Sequence, residues 1–254
     1  MKDYLHKLHE IRMFSLDDVV QIIGNENTAK SFLASGIHNG TICRIKKNMY
    51  SVTDLATLQC VANKYEIASG ISPTACVAYH SAMEYHGYGH QLFNEVSVIT
   101  PTIFRTFEFE GTTYIRRQPT ISEGMMKPLL NSLVRVTTLE RTIIDCIDRP
   151  KYAGGLEEVM NNLSSISFVD EDKMLQYLKA YQKASLYQKT GYLLSLYKKQ
   201  MSLSQGFFRQ CKAQIGKSTR YLTDTAENAV YVSEWHLCVP DNFYGMIGGE
   251  EAYV

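Results

Sequence analysis

Apolar residues recur at helical spacing along most of this chain, interrupted by short stretches in which β-branched and polar residues alternate. Leu5, Leu8 and Ile11 define the inner stripe of a first short helix over residues 3–11. Ser15 stands as the N-cap of a second. Asp17 and Asp18 complement its dipole, and Leu16, Val19, Val20 and Ile23 form its inner face until Gly24-Asn25 ends it. A third helix, capped by Asn27 or Thr28, turns Ala29, Phe32 and Leu33 inward and is expected to close at Gly36. Residues 40–52 (GTICRIKKNMYSV) read as a β-hairpin with Lys47-Asn48 in its turn, because Asn tolerates positive φ. Two helices across a short Gly-containing turn, followed by a hairpin, predict an N-terminal winged helix-turn-helix domain over residues 1–53. The same pattern also fits a helix pair and hairpin used only for packing.

Residues 54–70 carry Leu55, Leu58, Ala62, Tyr65 and Ala68 at helical spacing and read as a linker helix. Pro73 and Thr74 open the next unit, where ACVAYHSAMEYHG reads as a helix stopped by Gly87. Residues 95–100, 106–109 and 112–116 alternate as strands, the last two joined at Glu110-Gly111. Residues 134–136 add a strand that runs into a capping box of Thr137 and Glu140. The helix starting at Thr138 buries Leu139, Thr142, Ile143 and Cys146. Pro150 and Gly154-Gly155 end it and turn the chain into another helix from Leu156. Beyond Asp170 the chain reads as helical, over 171–180, 185–199 and 205–215. The expected class is α+β. A winged helix-turn-helix is followed by one domain over 71–254, made of a small mixed sheet with covering helices (71–165), a basic helical part (170–221) and an acidic tail (222–254).

At 254 residues and 45% hydrophobic content, the chain has apolar material for an ordinary core. Lys plus Arg and Asp plus Glu number 26 each, so overall charge neither requires nor excludes a nucleic-acid partner, and any basic surface is local. Six scattered cysteines without C-x-x-C spacing predict reduced, mostly buried thiols rather than a zinc site or disulfide framework. No apolar run has signal-peptide or membrane-span character, which predicts a cytoplasmic protein with no membrane partner.

Local charge changes the picture. Residues 1–53 hold seven Lys or Arg against five Asp or Glu, and Arg44, Lys46 and Lys47 load the hairpin. Asn27, Thr28, Lys30, Ser31 and Ser35 face outward from the third helix, and with Asn48 of the turn these complete the candidate DNA contacts. Nine Lys or Arg and no acid stand between Leu178 and Tyr221, while residues 222–254 hold six acids and no Lys or Arg. The blocks either pair with each other or leave a basic, aromatic-rich surface for RNA or an acidic protein, with Lys189, Lys198, Lys199, Arg209, Lys212 and Lys217 as its candidates. His80, Glu84 and His86 fall within seven residues but lack helical zinc-site spacing, so buried hydrogen bonds, and no metal or other cofactor, are expected. Glu140, Arg141, Asp145, Asp148, Arg149, Glu157 and Glu158 read either as a carboxylate-rich active site or as acids paired with neighbouring arginines. The lack of a phosphate loop, nucleophile elbow or metal-ligand cluster favours the second and a chain that is not an enzyme.

Three strings carry a family resemblance: HSAMEYHG at 80–87, TTLERTIIDCIDRP with GGLEE at 137–158, and KTGYLL at 189–194. In this order they resemble the AbiEi antitoxins, the transcriptional regulators of AbiE phage-defence operons. Members usually have Gly in the hairpin turn where this chain has Asn48, and often Arg where it has Lys189. The resemblance implies a type IV toxin–antitoxin antitoxin. Its winged helix binds inverted operator repeats and represses its own operon, and the remainder neutralises a nucleotidyltransferase toxin, through the toxin or its RNA substrate. A plain winged-helix repressor without antitoxin activity is the alternative.

Overall fold

The computed structural model describes residues 2–224 and 228–246. Helix α1 (Lys2–Ile11) leads through strand β1 (Met13–Phe14) to α2 (Leu16–Ile23). Ser15 accepts from the Asp18 amide while the Asp18 carboxylate accepts from the Ser15 amide, so two donors at the start of α2 are satisfied reciprocally. Gly24 closes α2 at φ 84°, a left-handed value that costs glycine little. Helix α3 (Glu26–His38) is capped by Asn25, not by Asn27 or Thr28: Asn25 is the residue left extended after Gly24, and its carboxamide oxygen accepts from the Thr28 amide. Nor does Gly36 end the helix. It is buried where a Cβ would lie 2.6 Å from Ile42 Cδ1, and glycine there lets strand β2 (Ile42–Lys46) lie close against α3. Strand β3 (Met49–Val52) follows after a turn in which Asn48 takes φ 59°, as the sequence predicts. The three strands pair antiparallel in the order β1-β3-β2. Leu8, Phe14, Val19, Ala29, Leu33, Ile42 and Val52 fill the space between this sheet and the helices.

Residues 54–70 are helical only over α4 (Lys64–Gly70). Asp54 Oδ1 accepts from the amides of Ala56 and Thr57, a side-chain turn that competes with helix, and Leu55 and Leu58 are exposed. α4 is not a free linker. Ser69 Oγ accepts from the Arg135 amide at 2.8 Å, and the Arg135 guanidinium donates to the carbonyls of Ser69, Ser72 and Ala75. Glu66, 2% exposed, takes Arg12 Nε at 3.0 Å and Asn131 Nδ2 at 2.8 Å, joining the N-terminal elements to the central ones.

The central sheet contains β4 (Cys76–Val77), β5 (Glu95–Ile99), β6 (Phe107–Phe109), β7 (Thr112–Arg117), β8 (Met125–Met126) and β9 (Val136–Thr137), in the order β6-β7-β5-β4-β9-β8. It is mixed, as expected: β5/β7 and β4/β9 run parallel and the other neighbours antiparallel. The helix expected from Thr74 begins later, as α5 (Tyr79–Tyr85), because Cys76 and Val77 are a strand buried on both faces. Such a strand is uniformly apolar and has no period that separates it from buried helix. Helix α6 (Leu139–Asp148) is capped by Thr138, so the Thr137–Glu140 capping box does not form; the Glu140 carboxylate instead accepts from the Asp170 amide. After a 3-10 turn at Pro150–Tyr152, Gly154 and Gly155 take positive φ and α7 (Leu156–Ser164) begins.

Helices α8 (Glu171–Tyr181), α9 (Ala184–Ser195) and α10 (Gln205–Gln214) follow. The chain then forms a three-stranded sheet of β10 (Arg220–Tyr221), β11 (Ala229–Val232) and β12 (Leu237–Pro240), and a short α11 (Phe243–Met246). The acidic tail is thus partly folded sheet, with Trp235, Leu237, Val239 and Phe243 buried; Glu227, Glu250 and Glu251 of that tail lie outside the described residues. Two apolar layers sandwich the central sheet. On one face Ile99 and Cys76 join Ile143, Met160, Leu178, Leu193 and Phe207 from the helices. On the other, Val77, Val96, Val98 and Val136 pack with Ile67 of α4 and with Ile45 and Met49 of the N-terminal hairpin.

Candidate functional site

On α3, capped by Asn25, the residues Asn27, Thr28, Lys30, Ser31, Ser35 and His38 are all exposed. Thr28 Oγ1 donates to Asn25 Oδ1, and Lys30 pairs with Glu26 at 2.6 Å, one turn away. On the hairpin, Arg44, Lys47 and Asn48 are exposed, and Asn48 Oδ1 accepts from the Leu16 amide at 2.9 Å, tying the turn to the start of α2. Lys46 goes elsewhere. A register shift between Arg44 and Lys46 turns it toward the central sheet, where its ammonium lies 5.6 Å from the Phe104 ring centre and 5.2 Å from that of Phe107. Burial there lowers its pKa. His38 has no signal in the sequence beyond its position one turn past Ser35.

His80, Glu84 and His86 take three separate partners. His80 Nε2 meets Glu158 Oε1 at 3.1 Å, Glu84 accepts from Lys64 Nζ at 2.7 Å, and His86 Nε2 donates to the Thr137 carbonyl at 2.7 Å. Burial lowers the pKa of both histidines. Glu158 also accepts from the amides of His90 and Gln91, fastening the loop after α5 to α7. Arg141 and Asp145 form a buried pair at 2.9 Å, closed by the Tyr181 hydroxyl on the second carboxylate oxygen. Among the described residues, no three His, Cys, Asp or Glu side chains converge as a metal site. Of the carboxylates named from sequence, Glu140, Asp145, Asp148 and Glu158 each secure one element to another, while Glu157 is exposed.

The basic block divides. Lys212 pairs with Glu234 of the acidic segment, and its ammonium also lies 5.2 Å from the Trp235 ring centre. Lys198 rests on Phe208 of α10 at 6.0 Å, while Lys199, Arg209 and Lys217 are exposed and make no ion pair among the described residues. Lys189 is half-buried on α9, and burial lowers its pKa against the opposing pull of Asp148 and Asp224. Two residues on, Gly191 lies under the Trp235 ring, with no room for a Cβ.

Comparison with known proteins follows the same division of the chain. Residues 74–196 match the family model described as the AbiEi antitoxin C-terminal domain, a span that contains all three strings identified in the sequence. No curated protein matches the chain. Among solved structures, the RV2827C protein from Mycobacterium tuberculosis shares its fold. The TM-score is 0.63 at 12% identity, over 96% of this chain and 92% of that one. No described helix is long and apolar enough to cross a membrane. Residues 74–196 thus carry an AbiEi antitoxin C-terminal domain, which supports an AbiEi-family antitoxin.

Proposed function

We propose that this protein is the antitoxin of a type IV toxin–antitoxin pair in the cytoplasm, neutralising a nucleotidyltransferase toxin and repressing its own operon by binding inverted operator repeats. The observation that carries the antitoxin part is the family domain over 74–196. The AbiEi family is generally non-enzymatic, and the proposal assigns this chain no catalytic turnover. DNA binding is supported by the exposed, short-chained polar face of α3 beside Arg44 and Lys47, a surface suited to groove and phosphate contacts. A winged helix-turn-helix is our reading of α1–α3 with β1–β3. We place its junction with the neutralising domain before Asn63 rather than at residue 71, because α4 is fastened to the central sheet through Ser69 and Arg135.

Gel shifts on the protein's own promoter test the DNA-binding part. Replacing Arg44 and Lys47 by Ala is expected to weaken binding to all sequences and to flatten the salt dependence by roughly 0.9 per lost phosphate contact. Lys46→Ala is expected to leave affinity nearly unchanged, since its ammonium is occupied by aromatic rings. Thr28→Ala or Ser31→Ala should alter sequence preference instead. An unchanged salt slope in the Arg44/Lys47 double variant sinks the interface. Co-expression with a nucleotidyltransferase encoded beside it tests the antitoxin part; failure to rescue growth leaves a plain winged-helix repressor.

A further inference from the structure

A pocket of about 560 Å³ lies where the end of α6, the start of α7, α9 and the segment after β10 meet. Four cations line it: Arg149, Lys151, Lys183 and Lys189. Two carboxylates line it as well, Asp148 and Asp224, and they do not cancel the cations. Asp148 is committed to Lys183 at 2.7 Å, with Arg149 at 3.6 Å, and Asp224 is exposed. Lys189 makes no hydrogen bond or ion pair among the described residues although it is half-buried. A half-buried ammonium without a hydrogen bond is unfavourable, and burial lowers its pKa against the pull of Asp148 and Asp224. Within the pocket the formal balance is two positive charges, the amount that one phosphate dianion neutralises.

We propose that this pocket binds a phosphate group, with Lys189 as the ammonium that meets it and Arg149, Lys151 and Lys183 as the surrounding charge. The Ser185 hydroxyl, also in the lining, offers a neutral donor. Helix α9 adds to the same field: no side chain caps its start, and among its first-turn amides that of Leu186 donates to the Lys183 carbonyl. Lysines act here as movable point charges that impose no planar bidentate geometry, so the charge balance of the pocket is what favours a dianion such as phosphate over a single carboxylate. The phosphate could be carried by a nucleotide or by the end of an RNA strand; the residues recognise the same group in both. The assignment does not depend on the antitoxin reading, since it concerns the isolated protein.

Calorimetric titration of the full-length protein in phosphate-free buffer tests the proposal with three probes: inorganic phosphate, a nucleoside 5′-monophosphate, and a short RNA with and without a 5′-phosphate. The expected result is saturable binding of one anion per chain, weakened about tenfold or more by Lys189→Met, which keeps the side chain's length and removes its charge. Lys127→Gln, an exposed cation outside the pocket, should leave it unchanged. Tighter binding of the monophosphate than of the RNA identifies a small-molecule source. An RNA that binds only when 5′-phosphorylated identifies a nucleic-acid end. Should Lys189→Met not fold by circular dichroism, Arg149→Gln, at an exposed position, reads out the same pocket with a smaller loss. No saturable binding of any probe up to about 10 mM, or equal binding by wild type and the folded pocket variants, overturns the proposal. Neither result bears on toxin rescue or operator binding.

Discussion

Arg141 is 1% exposed, and its cost of burial is offset by named partners: Asp145 through Nε, and the carbonyls of Ile121 and Glu123 through Nη1. Replacing it with Met is expected to leave the Asp145 carboxylate buried with Tyr181 as its main remaining partner, at a cost of about 3–5 kcal/mol. The measurement is the urea midpoint. Asp145→Leu added to that variant should recover much of the loss, because no uncompensated charge then remains. A single variant as stable as wild type would show that the pair has no structural weight. The sequence placed Arg141 beside acids but suggested the neighbour Glu140. Only the i, i+4 geometry of α6 and the approach of Tyr181 from α8 select Asp145. Likewise Asp148 meets Lys183 more closely than its neighbour Arg149, because the chain returns through α8 to bring Lys183 within 2.7 Å.

Helix α9 is where a family string acquires a physical reason. In the run from Lys189 to Leu194, Thr190, Tyr192, Leu193 and Leu194 are buried, and Gly191 is the seat of Trp235. Gly191→Ala adds intrinsic helix propensity, about 1 kcal/mol, yet its methyl must displace an indole held in the core. Net destabilisation by about 1–3 kcal/mol is expected, with a red shift in the fluorescence of this lone tryptophan. A blue or unchanged spectrum with a raised midpoint would contradict this packing. The helices themselves were largely legible: α2 begins at the cap Ser15 read from the sequence, and α8 and α10 lie where the helical reading placed them. Strand β4 was not: Cys76 and Val77 become strand only by hydrogen bonding between β5 and β9, Cys76 opposite Ile99 and Val77 opposite Val98 and Val136.

For the whole molecule, the interlocking of the two parts decides how they can be tested. Ile45 and Met49 of the hairpin share an apolar cluster with the central sheet, so cutting the chain exposes core, whereas point changes need not. Reversing the charge of Lys198, Lys199 and Arg209 together is expected to abolish toxin rescue while operator binding persists, because like charges at an interface are strongly unfavourable. Full rescue by the folded triple variant would assign the basic block a packing role only. Lys212 is left out because Glu234 already holds it. Periodicity, caps and turn residues in the sequence by themselves determined the α+β class, most helices and the hairpin turn at Asn48, while the family resemblance rested on three strings. These are local signals, carried by residues within one turn or one strand of each other. Tertiary structure alone decided that Lys46 serves aromatic rings, that α4 belongs to the central sheet, and that part of the acidic tail folds as strands against α9. It also decided that Lys189 shares a pocket with Arg149, Lys151 and Lys183. Each of these depends on contacts between segments far apart in the chain, whose approach is set by the burial of the whole core rather than by any one segment's pattern.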